Sequence, residues 1–519
     1  MSISSSALPK RLYKAHQVAL LERLAVEKLK ITSYDLMKLA GGSVFRTIKS
    51  YYPQATNLLV LAGGGNNAGD GFVVAALAQL SGMSAEVFQL CEDEKLEGDA
   101  KLAFSYAKSS KVSLRFLDKV NDIEKFCNTK TVIVDALLGT GINRPVNDSY
   151  KKVILAINHL GRPVVSVDLP SGLNVDTGKA MGLAVRAHVT VTFAGLKQGL
   201  LTGDGKEFAG EIVFDNLDIP DFIFTSEGAP EPSSERIDIN YVTPSCLGRR
   251  KKSSHKGDHG HVIVLGGDLA FGGAGIMAAE AAMRSGAGLV TLVSRSEHRS
   301  AALARCPELM VVGTEDKNFD LGGVLKKASA IAIGPGLGTG KWGQGILSEV
   351  LDLNLTYKTP LLIDADALNL LSERRDLIGN VKAGNWVLTP HPGEAARLLK
   401  STTERVQADR FNAVKELAEM WGGACLLKGS GSLTCSNEPA KTIYLCSEGN
   451  AGMASGGMGD VLSGIIASLI AQGLTLSDAL NCGICIHGQA GDLASVVLGE
   501  RGLLATDLFS YLRPLLNPL

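Results

Sequence analysis

The sequence predicts an α/β protein made of two doubly wound domains. Three observations carry that reading. Short apolar runs rich in β-branched residues alternate with helix-like segments from about residue 57 onward, as in parallel sheets whose strands are buried on both faces. The runs end in glycine-rich or acidic loops, and open α/β sheets bind ligands at such strand ends. The alternation lapses once and then restarts, and 519 residues are too many for one ordinary core.

In the N-terminal half "NLLVLA" is the first strand of the alternation and "GFVVAALAQLSG" the helix after it. "SAEVFQL", "TVIVDALLG", "PVVSVDLPSG" and "HVTVTFA" are further buried strands with turn signals at their ends. The stretch "DIPDFIFTSEGAPEPSSERIDI" reads as a linker or edge segment. It places a boundary near residue 230 and gives domains 1–229 and 230–519. After it come the strand-plus-loop units "HVIVLGGD", "GLVTLVS", "ASAIAIGPGLG", "PLLIDADAL", "NWVLTPHPGE" and "ACLLKGSGS". "GGAGIMAAEAAMRSGAG" and "GDVLSGIIASLIAQG" are helices, and the basic run Arg249–Lys252 reads as a solvated loop rather than a phosphate patch.

Composition excludes several classes. Lys+Arg total 52 against 53 Asp+Glu, so no basic face is forced and nucleic acid is not an expected partner. The N-terminal stretch lacks the uninterrupted apolar core of a secretory signal. No apolar run approaches the roughly 18 residues that span a bilayer, so no membrane is expected. Nine scattered cysteines point to reduced thiols in a cytoplasmic setting. Cys482 and Cys485 form a C-x-x-C, but without a second ligand pair core packing is the better reading.

Three polar loops of the N-terminal half fall at strand ends: "GGGNNAGDG" (Gly63–Gly71), "VDALLGTGINRPV" and "SVDLPSGLNVDTG". Glycine allows close backbone approach to a ligand, and the helix after Gly63–Gly71 presents N–H groups that favour phosphate. The spacing is neither that of a dinucleotide fingerprint nor that of a Walker loop. Asn66, Asn67 and Asp70 supply oxygen ligands and amide donors, and Asp135 and Ser171 could meet Asn67 around a hard monovalent cation. Asp168, between an apolar strand and "PSG", suits acid/base work through partial burial. A single Asp at a strand end is as easily a helix cap; three such loops together favour a ligand site.

"NNAGDG", "VDALLGTG" and "DLPSGLNVDTG" together resemble the epimerase domain of the NAD(P)HX repair enzymes, the YjeF N-terminal family, over roughly residues 10–225. The resemblance implies a three-layer αβα, Rossmann-like fold and interconversion of the R and S hydrates of NADH and NADPH. It implies that Asn66, Asn67, Ala68, Gly69 and Asp70, with Gly139, Thr140, Gly141, Ile142, Asn143, Arg144 and Pro145, hold the nucleotide. Asn67, Asp135 and Ser171 would bind potassium, and Asp168 would act on the nicotinamide side. Leu36–Gly42 resembles the family's entry helix, with Lys38 where an acid is common.

In the C-terminal half, "GNAGMASGGMGDVLSG" is a glycine loop opening directly into an apolar helix. Its N–H groups form an anion hole for a phosphoryl group. Asp460, after Gly459, is placed to take a proton from an attacking hydroxyl; the plainer reading is a helix cap. Lys428 with Gly429, Ser430, Gly431 and Ser432 suits a second phosphate cradle. His391, before Pro392 and near Glu394, reads as a substrate contact over a structural histidine.

"GPGLG", "DADAL", "HPGE", "LLKGSGS" and "GGMGDVLSG" resemble the NAD(P)HX dehydratase branch of the ribokinase-like enzymes over roughly residues 235–515, with Asp268 departing from the family's usual "GGS". The resemblance implies dehydration driven by ADP or ATP with magnesium. It implies substrate contacts at Ala274, Gly336, His391 and Asp460, and ADP contacts at Lys428–Ser432 and Gly459. The expected partners are NADHX, NADPHX and the nucleotide, and a homo-oligomer is expected. The alternative is a small-molecule kinase with a non-catalytic N-terminal nucleotide-binding module.

Overall fold

The computed structural model describes residues 8–374, 384–437 and 441–517. The first seven residues, part of the stretch read above for a secretory signal, lie outside it. The chain divides into two compact units, Met1–Glu235 and Arg236–Leu519. Among the described residues no helix is long and apolar enough to cross a membrane.

In the first unit a parallel seven-stranded sheet runs Glu211–Asp215, Val189–Phe193, Val164–Val167, Thr131–Ala136, Asn57–Ala62, Ser84–Gln89 and Ser113–Phe116 across its width. Residues of one strand alternate between two cores, as period-two geometry requires. Leu58, Val60 and Ala62 face the helices Ala15–Leu29, Ser33–Tyr51, Asn66–Leu80 and Gly98–Ser109. Leu59 and Leu61 face Asn121–Phe126 and Asp148–His159. Burial on both faces is why these strands read as continuous apolar runs.

The second unit repeats the plan. Trp386–Leu388, Leu361–Ile363, Ala330–Ile333, His261–Leu265, Leu289–Ser294 and Met310–Gly313 pair in parallel, Ala424–Leu427 joins Trp386–Leu388, and Ser432–Ser436 and Ile443–Cys446 add antiparallel strands. The helices Gly272–Arg284, Met458–Ala471 and Leu476–Leu498 share one core with this sheet. Cys482 and Cys485 are buried in the last of them, with Cys485 Sγ 3.7 Å from Cys446 Sγ.

Two sequence expectations change. The helix predicted from Gly71 starts at Asn66, inside the glycine run. Glycine is needed there for close packing as well as for a loop: a Cβ on Gly69 would meet Met37 Cε at 2.6 Å, and one on Gly71 would meet Ala136 Cβ at 2.6 Å. The segment read as a linker or edge segment is in part packed and paired as a strand. Ile223 is fully buried, and Ser234 and Glu235 pair antiparallel with Leu12 and Arg11.

Candidate active sites

Strand order fixes both sites. In the first unit the chain starts at Asn57–Ala62, moves outward through two strands, and returns to the other side of Asn57–Ala62 at Thr131–Ala136. Loops leaving the carboxyl ends of those two strands diverge and leave a crevice. A cavity of ≈ 1030 Å³ opens there, lined by Asn66, Asn67, Asp70, Asp168 and the whole of Gly139–Pro145. No side chain caps the helix Asn66–Leu80 at Gly65, so its first turn stays available to a ligand. Ala68 and Gly69 turn away from the cavity: Ala68 is fully buried and both N–H groups donate to Gly65 O, at 3.0 and 3.2 Å.

Asp168 holds a left-handed backbone, φ 65°, which Asp tolerates better than most residues. Its Oδ1 accepts from Thr192 Oγ1 at 3.1 Å, from Phe193 N at 3.3 Å and from the ammonium of Lys197. Lys197 is 1% exposed, on the short strand Leu196–Lys197 that pairs with Arg11–Tyr13. Sequence reasoning missed this lysine, although a charged residue directly after the apolar run "VTVTFAGL" was a signal. Burial pushes the Asp70 carboxyl up, and the charges of Asp168 and Glu22 add to that.

Asn67, Asp135 and Ser171 come together around the Leu138 backbone. Asn67 Nδ2 donates to Leu138 O at 3.0 Å, and Ser171 Oγ accepts Leu138 N–H at 2.9 Å and donates to Asp135 Oδ1 at 2.5 Å. Asp135 is wholly buried; burial raises its carboxyl while hydrogen bonds from Ser171, Ser166 and Leu137 oppose that. The donor set is all oxygen with a single negative charge, which fits a hard monovalent cation.

The second unit has the same kind of switch point, between His261–Leu265 and Ala330–Ile333. Ala274, in the first turn of the helix Gly272–Arg284, meets Gly336 there. Gly336 has φ 59°, and a Cβ on it would sit 3.1 Å from Ala274 Cβ. Asp364, His391 and Lys428 follow the neighbouring strand ends. Asp364 Oδ1 accepts from Lys428 Nζ at 2.8 Å, and its Oδ2 accepts from Ser463 Oγ at 2.7 Å. Ser463 lies one turn beyond Asp460 on the helix Met458–Ala471. A Cβ on Gly459 would lie 3.2 Å from Lys428 Nζ. Lys428, Gly459 and Asp460 therefore form one cluster, anchored by a fully buried aspartate that the sequence offered in "DADAL".

Burial is the main cause that raises the Asp460 carboxyl to about 7; Asp364 adds to it and Lys428 opposes. Burial works against the Lys428 ammonium, but Asp364 and Glu394 outweigh it and its pKa rises. The turn Gly429–Gly431 uses left-handed glycines, with φ 139° and 64°. The buried Arg410 braces that turn through Leu427 O, Lys428 O and Gly431 O at 3.3–3.4 Å. His391 caps the helix Pro392–Leu398: its Nδ1 accepts from Gly393 N at 3.0 Å, and Nε2 faces Glu394 Oε1 at 3.4 Å. Burial, with Lys428 and Arg397 nearby, lowers its pKa, and Asp364 opposes the shift. His391 thus acts as a helix cap, which leaves the expected substrate contact open to it.

Residues 33–199 match the family described as YjeF-related protein N-terminus, and residues 262–514 match NAD(P)H-hydrate dehydratase. The chain is 42% identical over 509 residues to the bifunctional NAD(P)H-hydrate repair enzyme Nnr of Coxiella burnetii, covering 98% of this chain and 99% of that protein. It is 40% identical to the protein of the same name in Escherichia coli, covering 99% and 95%. A solved ribokinase-like superfamily protein from Enterococcus faecalis matches with a TM-score of 0.50 and 30% identity, over 54% of this chain and 94% of that one. With two switch-point sites and relatives alike along its whole length, the chain belongs to the family of bifunctional NAD(P)H-hydrate repair enzymes.

Proposed function

We propose that the first crevice interconverts the R and S hydrates of NADH and NADPH, and that the second dehydrates the S form at the expense of ADP, with ATP the less favoured donor. Family membership makes the chain an epimerase and an ADP/ATP-dependent dehydratase. The division of labour between named residues is our reading.

In the dehydratase site the observation that carries this reading is the cluster Lys428–Asp364–Asp460 at a helix N-terminus. Asp460 takes the proton of the hydrate's hydroxyl as its oxygen attacks the terminal phosphorus of the nucleotide. Lys428 and the N–H groups of the helix mouth face the charge on the phosphoryl oxygens. The phosphorylated carbon then loses phosphate, pushed by the ring nitrogen's electron pair, and loss of the neighbouring proton restores the dihydronicotinamide. AMP and phosphate are released, or ADP and phosphate from ATP. Ala274, Gly336 and His391 contact the substrate, while Gly429–Ser432 and Gly459 hold the nucleotide. Magnesium would be carried on the nucleotide's phosphates and would offset their charge.

In the epimerase site Asp168 handles the hydroxyl proton and Lys197 fixes the Asp168 carboxylate. Asn66, Asn67, Asp70 and Gly139–Pro145 bind the dinucleotide; Ala68 and Gly69 shape the turn. Asn67, Asp135 and Ser171 would hold potassium, which supplies charge for nucleotide phosphate. Nine free thiols support a reducing, cytoplasmic setting. The deciding assay mixes R- and S-NADHX with ADP or ATP, follows NADH absorbance, and separates the remaining epimers. A stable phosphorylated product in place of NADH would favour the kinase alternative.

A further inference from the structure

The helix Ala15–Leu29 precedes the segment matched by the YjeF-related family, residues 33–199. Its Val18, Ala19, Glu22, Arg23 and Val26 line the epimerase cavity, at the spacing of one helix face. Glu22 is the acid in that stripe, and the same cavity carries Asp70, Asp168 and Lys197. An ammonium has three hydrogens. Those of Lys197 meet Asp168 Oδ1, Phe193 O at 2.9 Å and Thr192 Oγ1 at 3.3 Å. None is left for Glu22 or Asp70. Burial raises the Glu22 carboxyl, Lys197 opposes the rise and Asp168 adds to it, so Glu22 keeps a proton further toward neutrality than a free carboxyl does. Arg23, Asp99, Arg144 and Tyr150 complete the charged and titratable lining.

Epimerisation needs such a proton. The carbon that bears the hydroxyl in the hydrate is bonded to the ring nitrogen, so it opens as a hemiaminal. A base removes the hydroxyl proton and the carbon–nitrogen bond breaks. Its electron pair stays on nitrogen, and an acid delivers a proton there. The products are an aldehyde and an enamine N–H. Rotation about the adjacent carbon–carbon bond and the reverse steps close the ring with the hydroxyl on the opposite side. No oxidant or reductant takes part, but base and acid are required together. Asp168 is the base in the reading above, on which this inference rests. We propose that Glu22 is the acid: it protonates the ring nitrogen as the ring opens and takes that proton back as it closes.

The test uses the full chain, R-NADHX and epimer separation, with Glu22→Gln and Glu22→Asp beside the wild type. Glu22→Gln should lower the epimerase kcat by about two to four powers of ten and leave KM within about threefold. The wild-type rate should fall at alkaline pH as Glu22 loses its proton, and that limb should be missing from Glu22→Gln. Glu22→Asp keeps the carboxyl and should recover part of the rate, which separates lost chemistry from lost folding. A Glu22→Gln rate within about threefold of wild type, or a slow variant that keeps the alkaline limb, overturns the assignment. If the wild type itself leaves R-NADHX unchanged, the epimerase reading fails with it; if wild type and variant epimerise alike, only the role of Glu22 fails.

Discussion

Replacing Asp460 by Asn tests two consequences of one buried carboxyl. The group titrates near 7, against about 3.9 for a free aspartate. As a general base it works only when deprotonated, so wild-type dehydration should rise about tenfold between pH 6 and pH 8. Asn cannot accept the proton, and the rate should fall by about two to four powers of ten, or about 2.7–5.4 kcal/mol of barrier. The same shift has a sign for stability. The folded state holds this proton more tightly than the unfolded chain, so the stability it confers is present below about pH 4 and is lost as pH rises through about 7. The cost at pH 8 is on the order of 2–4 kcal/mol, and Asp460→Asn removes it. The variant should therefore melt several degrees higher than wild type at pH 8 and nearly level with it at pH 4. Steady-state NADH formation from S-NADHX with ADP gives the rate; thermal melts at the two pH values give the stability. Near-normal dehydration, or a variant that melts lower at pH 8, would leave Asp460 as no more than an acid in the first turn of its helix, where Gly457 is the N-cap.

Asp168→Asn should slow epimerisation by about a hundredfold or more and leave dehydration of S-NADHX unchanged; loss of both would point to one shared site. Asp135→Ala should weaken the dependence of epimerisation on potassium and raise the epimerase KM, and full epimerase rate in potassium-free buffer would remove the cation from the account. Lys428→Ala strands the buried Asp364 carboxylate and should cost about 3–5 kcal/mol of stability, with weaker ADP binding by calorimetry. Adding Asp364→Asn should restore much of the stability but not the affinity, and a double variant that regains ADP binding would take Lys428 out of the phosphate cradle.

Much of the fold was legible because buried parallel strands leave an unmistakable trace. Leu58–Ala62 feeds two cores with alternate side chains, so every position is apolar. The placing of the polar loops at strand ends was legible for the same topological reason: Asn67 and Asp168 line one cavity, and Asn67, Ser171 and Asp135 are linked through the Leu138 backbone. The start of the helix at Asn66 was hidden because glycine reads as a turn signal, whereas Gly69 and Gly71 are there to let the helix approach Met37 and Ala136. Lys197 and Glu22 were missed for a different reason. Each lies far in sequence from Asp168, on an element that carries no loop motif, and only tertiary packing brings them to the cavity. Asp364 was visible in "DADAL", but its partners Lys428 and Ser463 come from distant segments, so its anchoring role could not be read from spacing.

One chain repairs both epimers by two separate sites. The most direct measurement is the complete reaction: an equimolar mixture of R- and S-NADHX with excess ADP, followed to its endpoint by NADH absorbance, with phosphate and AMP quantified. The wild type should recover all of the NADH, with AMP and phosphate equal to it. Asp168→Asn should recover the S fraction alone in the fast phase, and Asp460→Asn should form little NADH. A wild type that stops at the S fraction, or that accumulates a phosphorylated hydrate without releasing phosphate, would contradict repair by two sites.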